Sequence, residues 1–154
     1  MTAAEVAESE DLPEIFAEPV AKNPPAEVNL VPTAGTEKRN VVMIFLDDSG
    51  YADFHPFGNP PYKTPNVERL ASQGCRFTNF HVPQAICSAS RSALLSGCYP
   101  GRTKVFGAHP PRARGLDPKY ATIGQVLKTA GYRTAVFGKW HIGDQPDTRP
   151  PARG

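Results

Sequence analysis

The sequence predicts an α/β layer fold with a mostly parallel sheet flanked by helices. Three observations carry this expectation. Val41-Val42-Met43-Ile44-Phe45-Leu46 is an unbroken apolar run that stops at Asp47-Asp48, the pattern of a strand buried on both faces. Cys75 to His81 and Tyr132 to Phe137 read as two further strands, the second with Ala135-Val136-Phe137 as its apolar part. Helical signals fall between these runs, and strands alternating with helices build parallel layer folds.

Each helix is marked by its ends. Thr64 supplies an N-cap and Pro65 a first-turn residue; Val67, Leu70 and Ala71 share one side, and Gly74 stops the helix. A second helix is expected over 88–96, ended by Gly97. A third is the best marked. Thr122 and Gln125 form a capping box, Ile123, Val126, Leu127 and Ala130 recur at helical spacing, and Gly131 closes it.

The chain has 154 residues and a net charge of +2, but the charge is uneven. Residues 1–40 hold eight acids against three bases, a net −5, and residues 41–154 hold 14 bases against seven acids, a net +7. With five prolines and few large apolar side chains, 1–39 reads as a disordered acidic leader. Residues 40–143 read as the folded part, and 144–154, rich in proline and without periodicity, as a frayed or truncated end. A membrane span is excluded because no apolar run reaches ~18 residues. Three cysteines are too few for a disulfide scaffold, and the near-neutral total excludes a dedicated nucleic-acid binder. The acidic start is not that of a secretory signal, so a cytoplasmic location is the default expectation.

In open α/β sheets ligands sit beyond the carboxyl ends of the strands. Asp47-Asp48 and Gly138-Lys139-Trp140-His141 both fall there. Adjacent carboxylates repel unless solvated or bridged by a cation, and Asp oxygens suit Ca²⁺ or Mg²⁺. Lys139 suits an anionic oxygen, and His141 suits hydrogen bonding or proton transfer. Cys87 stands at a helix N-terminus, where backbone N–H groups favour negative charge, with Arg91 one turn on. Cys75 and Cys98 read as packing residues, with a Cys75–Cys98 bridge left open. The basic, Pro/Gly-rich segment from Gly101 to Lys119 reads equally as a pocket wall for anions or a solvated loop.

Four ordered segments resemble motifs of the sulfatase family. Cys87-Ser88-Ala89-Ser90-Arg91, continuing to Gly97, is similar to its C-x-P-S-R signature, with Ala89 in place of Pro. Asp47 to Asp53 is similar to its first metal motif. Thr64-Pro65-Asn66-Val67-Glu68-Arg69-Leu70-Ala71 carries Glu68 where the family has Asp. Gly131-Tyr132-Arg133-Thr134 through Gly138-Lys139-Trp140-His141-Ile142-Gly143 is similar to G-Y-x-T…G-K-W-H-L-G, with Ile142 for Leu.

The resemblance, nearest to the arylsulfatase branch, implies the N-terminal part of an alkaline-phosphatase-like sandwich and hydrolysis of sulfate esters. It implies that a formylglycine-generating or radical maturation enzyme oxidises Cys87 to formylglycine. The aldehyde hydrates, one hydroxyl attacks sulfur, and the second expels sulfate. Asp47, Asp48 and the converted Cys87 would bind Ca²⁺, or Mg²⁺. Arg91 would steady the formylglycine, Lys139 would neutralise sulfate oxygens, and His141 would hydrogen-bond the diol. Ca²⁺ takes ~6 oxygen ligands and these residues offer about three, so the chain reads as an N-terminal piece that is inactive alone. Members of this family are often periplasmic or secreted. The alternatives are a phosphomonoester or phosphonate hydrolase of the same superfamily, and a non-catalytic remnant with a free thiol.

Overall fold

A computed structural model describes residues 38–154; the acidic leader lies, but for its last two residues, outside the described residues. Among the described residues four helices follow in order: α1, Pro65–Gln73; α2, Cys87–Ser96; α3, Pro100–Thr103; and α4, Ile123–Thr129. Short 3-10 turns cover Tyr51–Asp53 and Pro150–Ala152.

The three helices read from the sequence form where their end signals stand. α1 begins at Pro65 and stops at Gly74, although the Thr64 hydroxyl accepts from His55 N at 2.9 Å instead of capping its own helix. Gly97 closes α2 in the left-handed conformation at φ 66°, its N–H returning to Ala93 O at 2.9 Å. At α4 the capping box forms: Thr122 N donates to Gln125 Oε1 at 2.9 Å, and Gln125 N donates to Thr122 Oγ1 at 3.3 Å.

α2 is the central element and packs on α3 and α4. Residues 88–93 are buried without a break. Serine and alanine make this feasible, since small side chains let neighbours approach on every side. The Ser88 and Ser92 hydroxyls are bonded, Ser88 Oγ accepting from His109 N at 2.9 Å and Ser92 Oγ donating to Thr103 Oγ1 at 3.4 Å. Beside α2 a small core gathers Val105, Leu116 and Ile142, with Leu95, Tyr120 and Trp140 against it.

Leu116 N donates to Ile142 O at 2.9 Å, which brings Gly115 onto the same carbonyl. Gly115 has φ 75°, and a Cβ there would collide with the Ile142 backbone. Gly115→Ala is therefore expected to cost at least about 2 kcal/mol. The readout is the urea midpoint, which falls while the slope of the transition stays constant.

Two features differ from the sequence expectation among the described residues. Among the described residues no strand is formed: 41–46, 75–81 and 132–137 carry no regular secondary structure. A strand is completed by a neighbour's N–H and C=O groups. Apart from Tyr132 N, which bonds Leu127 O at the end of α4, no backbone hydrogen bond among the described residues joins these segments to another. Most of their side chains stand in solvent, with Val42 83% and Phe137 92% exposed, while Phe45, Tyr132 and Thr134 are half-buried. The second is the 144–154 end, which hydrogen bonds fasten. Trp140 Nε1 donates to Thr148 O at 2.8 Å, Thr122 Oγ1 donates to Arg153 O, and Arg153 donates to Tyr120 O. Thr148 and Arg153 are 1% and 2% exposed. Side-chain and carbonyl bonds hold this segment, and such bonds leave no periodic trace.

Candidate active site

The apolar run delivers Asp47 and Asp48 beside the start of α2. Asp48 has φ 53°, a left-handed conformation that Asp adopts more readily than most residues. Cys87 is the first residue of α2 and half-buried. One ligand atom from each of Asp47, Asp48 and Cys87 lies within 4.8 Å of the others. These three residues share a cleft of about 290 Å³ with Leu46, Val82 and Ser90.

Two cations converge on Asp47. Lys139 Nζ donates to Asp47 Oδ2 at 2.6 Å and to Cys87 Sγ at 3.2 Å. Arg91 NH2 lies 3.4 Å from Asp47 Oδ1. The Lys139 hydrogen bond, with Arg91 adding, holds the Asp47 carboxyl below the usual carboxylate range. The Asp47 hydrogen bond, and then that to Cys87, raises the Lys139 ammonium above its ordinary value. Arg91, buried one turn into α2, also donates from NH1 to Lys139 O at 2.7 Å and stacks 5.3 Å from the Phe45 ring centre. One guanidinium thus spans the apolar run, α2 and the Lys139 segment.

The structure therefore joins Asp47, Asp48, Cys87, Arg91 and Lys139. His141 makes no hydrogen bond to that cluster. Its Nε2 bonds His109 O at 2.9 Å, and it lines a separate cleft of about 420 Å³ with His109, Trp140, Asp144 and Arg149. That cleft settles part of the basic segment. Its wall comes from His109, Pro110, Pro111 and Ala113, and not from Arg112 or Arg114. Of the other cysteines, Cys75 is exposed and so is no packing residue, and Cys75 and Cys98 are both free.

Reasoning from the sequence missed His109, Ser88 and Gln84. Gly107 N donates to Gln84 Oε1 at 3.0 Å, Ala89 N donates to Gly107 O at 3.1 Å, and His109 N donates to Ser88 Oγ at 2.9 Å. The Ala89 bond gives its departure from the family motif a structural meaning, since proline there has no N–H to donate.

Burial, with the neighbouring His141 adding, lowers the His109 pKa from 6.5. The folded chain then binds fewer protons than the unfolded one below that value. This contribution to stability is complete above pH 6.5 and is lost as pH falls through the folded pKa. Denaturant melts between pH 7.5 and 5 are expected to show stability falling with acid, by less than about one proton's worth of slope. His109→Gln should flatten that slope, and an unchanged slope would remove His109 as its source.

A cysteine heading α2, tandem aspartates and a lysine bonded to both Asp47 and Cys87 meet in one cleft, and the sulfatase family model matches residues 39–151. The chain belongs to the sulfatase family. It is 44% identical over 119 residues to human arylsulfatase A, covering 75% of this chain and 24% of that protein. It is 40% identical over 112 residues to the N-acetylgalactosamine-6-O-sulfatase of Bacteroides thetaiotaomicron, covering 72% and 22%. Among solved structures, that of Ps i-CgsB superposes with a TM-score of 0.67 at 36% identity, over 70% of this chain and 24% of that one. The chain spans about a quarter of the length of these relatives.

Proposed function

We propose that this site hydrolyses sulfate esters, with Cys87 oxidised to formylglycine by a formylglycine-generating or radical maturation enzyme. The observation that carries the reading is the convergence of Asp47, Asp48 and Cys87 within 4.8 Å, under the Lys139 ammonium. The donor set suits a hard divalent cation once position 87 offers oxygen in place of sulfur. Lys139 already places positive charge against two of the three donors. Asp47, Asp48 and residue 87 would hold the cation, Ca²⁺ by ligand chemistry and Mg²⁺ as the alternative. Bound there, it would supply Lewis acidity to a sulfate oxygen. Residue 87 when converted would supply the nucleophilic hydroxyl.

The chain's own residues do the rest. Arg91 fixes Asp47 and the Lys139 carbonyl, so the carboxylate and the ammonium keep one geometry. Lys139 places a point charge where a sulfate oxygen approaches residue 87. His141 stands apart from this cluster; its role toward the hydroxyls of the converted residue would fall to Nδ1, the nitrogen not bonded to His109 O. Segments 41–46, 75–81 and 132–137 are proposed as strands of the mostly parallel sheet of an alkaline-phosphatase-like sandwich. Their exposed apolar side chains support that, because such runs are stable in pairs and unstable in water.

These residues offer three of the ~6 oxygens that Ca²⁺ takes, so the 154 residues by themselves are proposed to be inactive. Turnover is read in a fusion to the remainder of a sulfatase relative, matured in the cell. It is expected to cleave an aryl sulfate far faster than an aryl phosphate, with loss on chelation and recovery on adding Ca²⁺. A preference for the phosphate would move the site to phosphomonoester or phosphonate chemistry. A thiol retained at position 87 would make the chain a non-catalytic remnant.

A further inference from the structure

The three bonds from Gln84, Ser88 and Ala89 fasten 107–109 to the start of α2. The same segment then reaches His141. The backbone of His109 is bonded on both sides of its Cα: its N–H donates to Ser88 Oγ at 2.9 Å, and its carbonyl accepts from His141 Nε2 at 2.9 Å. A carbonyl oxygen only accepts, so Nε2 of His141 must carry the hydrogen. In a neutral imidazole the lone pair is then on Nδ1. That Nδ1 is buried and has no hydrogen-bond partner. His141 also has φ 57°, a left-handed conformation that strains a non-glycine residue and persists where its surroundings impose it. A strained backbone, a committed Nε2 and an unused buried Nδ1 together describe a ring held for one purpose.

We propose that Ser88 is a positioning residue: by holding the His109 backbone, whose carbonyl meets His141, it fixes His141 as the Nε2–H tautomer and reserves Nδ1 as the accepting nitrogen. The role in turnover rests on the reading of His141 above, because an accepting nitrogen can take a proton from a hydroxyl and a donating one cannot. The tautomer itself stands apart from that reading. Ser88 is fully buried one residue after Cys87, so the nucleophile position and the tautomer of His141 are set from the same turn of α2.

The test is long-range ¹H–¹⁵N correlation on the ¹⁵N-labelled chain at pH about 8, above the ordinary imidazole range. Only four histidines need assignment. His141 is expected to show a protonated Nε2 and a bare Nδ1. Ser88→Ala should move both nitrogens toward the average of a tautomer mixture, while emission of Trp140, the single tryptophan, stays unchanged. A protonated Nδ1 in the wild type, or unchanged His141 signals in Ser88→Ala, overturns the proposal. If Ser88→Ala loses the native Trp140 emission, two other readings decide. Slow exchange of the His109 amide in the wild type, with wild-type tautomer signals in Ser88→Thr, supports it. Exchange of that amide at the unprotected rate overturns it. Turnover is not read, so a failed tautomer and a failed sulfatase reading remain distinguishable.

Discussion

Cys87→Ala is expected to abolish sulfate-ester turnover in the matured fusion, a loss of roughly 10⁴-fold or more. The size follows from what the substitution removes. Alanine offers neither a nucleophile nor a precursor of one, and it deletes one of the three donors grouped with Asp47 and Asp48. Lys139 loses one of its two side-chain acceptors but keeps Asp47 at 2.6 Å. The fold should therefore survive, since Cys87 is half-buried and outside the Val105, Leu116, Ile142 core. Unchanged melting with lost turnover is the expected pair of results. Turnover within tenfold of wild type would mean that position 87 is not the reacting group.

Arg91→Ala should strike stability as well as the site. The guanidinium is buried, donates to Lys139 O at 2.7 Å, approaches Asp47 at 3.4 Å and stacks on Phe45. Its removal leaves a carbonyl unbonded, opens a cavity beside α2 and halves the positive charge on Asp47. Breaking a fully buried pair costs ~3–5 kcal/mol. Asp47 keeps 30% of its side-chain exposure, so about 2–3 kcal/mol is expected here. Arg91→Lys should recover less than half, because an ammonium cannot reach the Lys139 carbonyl and Asp47 in the same flat fork. Denaturant melts of both variants provide the measurement. A cost below about 0.5 kcal/mol for Arg91→Ala, the range of ordinary surface substitutions, would show that the three segments are held by other contacts.

Local signals carried the helices and tertiary partners decided the rest. Thr122 with Gln125, Pro65 before an apolar stripe, and Gly97 at the end of α2 act within a few residues, so they are legible in the sequence and stand in the structure. The run 41–46 has the composition of a buried strand, but composition does not supply the neighbouring backbone that makes one. The site divides in the same way. Asp47, Asp48, Cys87, Arg91 and Lys139 belong to recurring motifs and are found together. The bonds that tie Gln84 to Gly107 and Ser88 to His109 link positions 23 and 21 apart, through a Pro/Gly-rich segment without period. Nothing in such a segment says which peptide will meet which side chain. The packed 144–154 end was hidden for a related reason: an indole N–H and a threonine hydroxyl fasten it.

The central claim is that residue 87 becomes a carbonyl group beside the tandem aspartates. Its most direct measurement is the mass of the proteolytic peptide containing residue 87, from the 154-residue chain co-expressed with a formylglycine-generating enzyme. The account predicts that this peptide loses H₂S, gains one oxygen, and reacts with a hydrazide. An unaltered thiol at Cys87, in cells where a control sulfatase is fully converted, would contradict it.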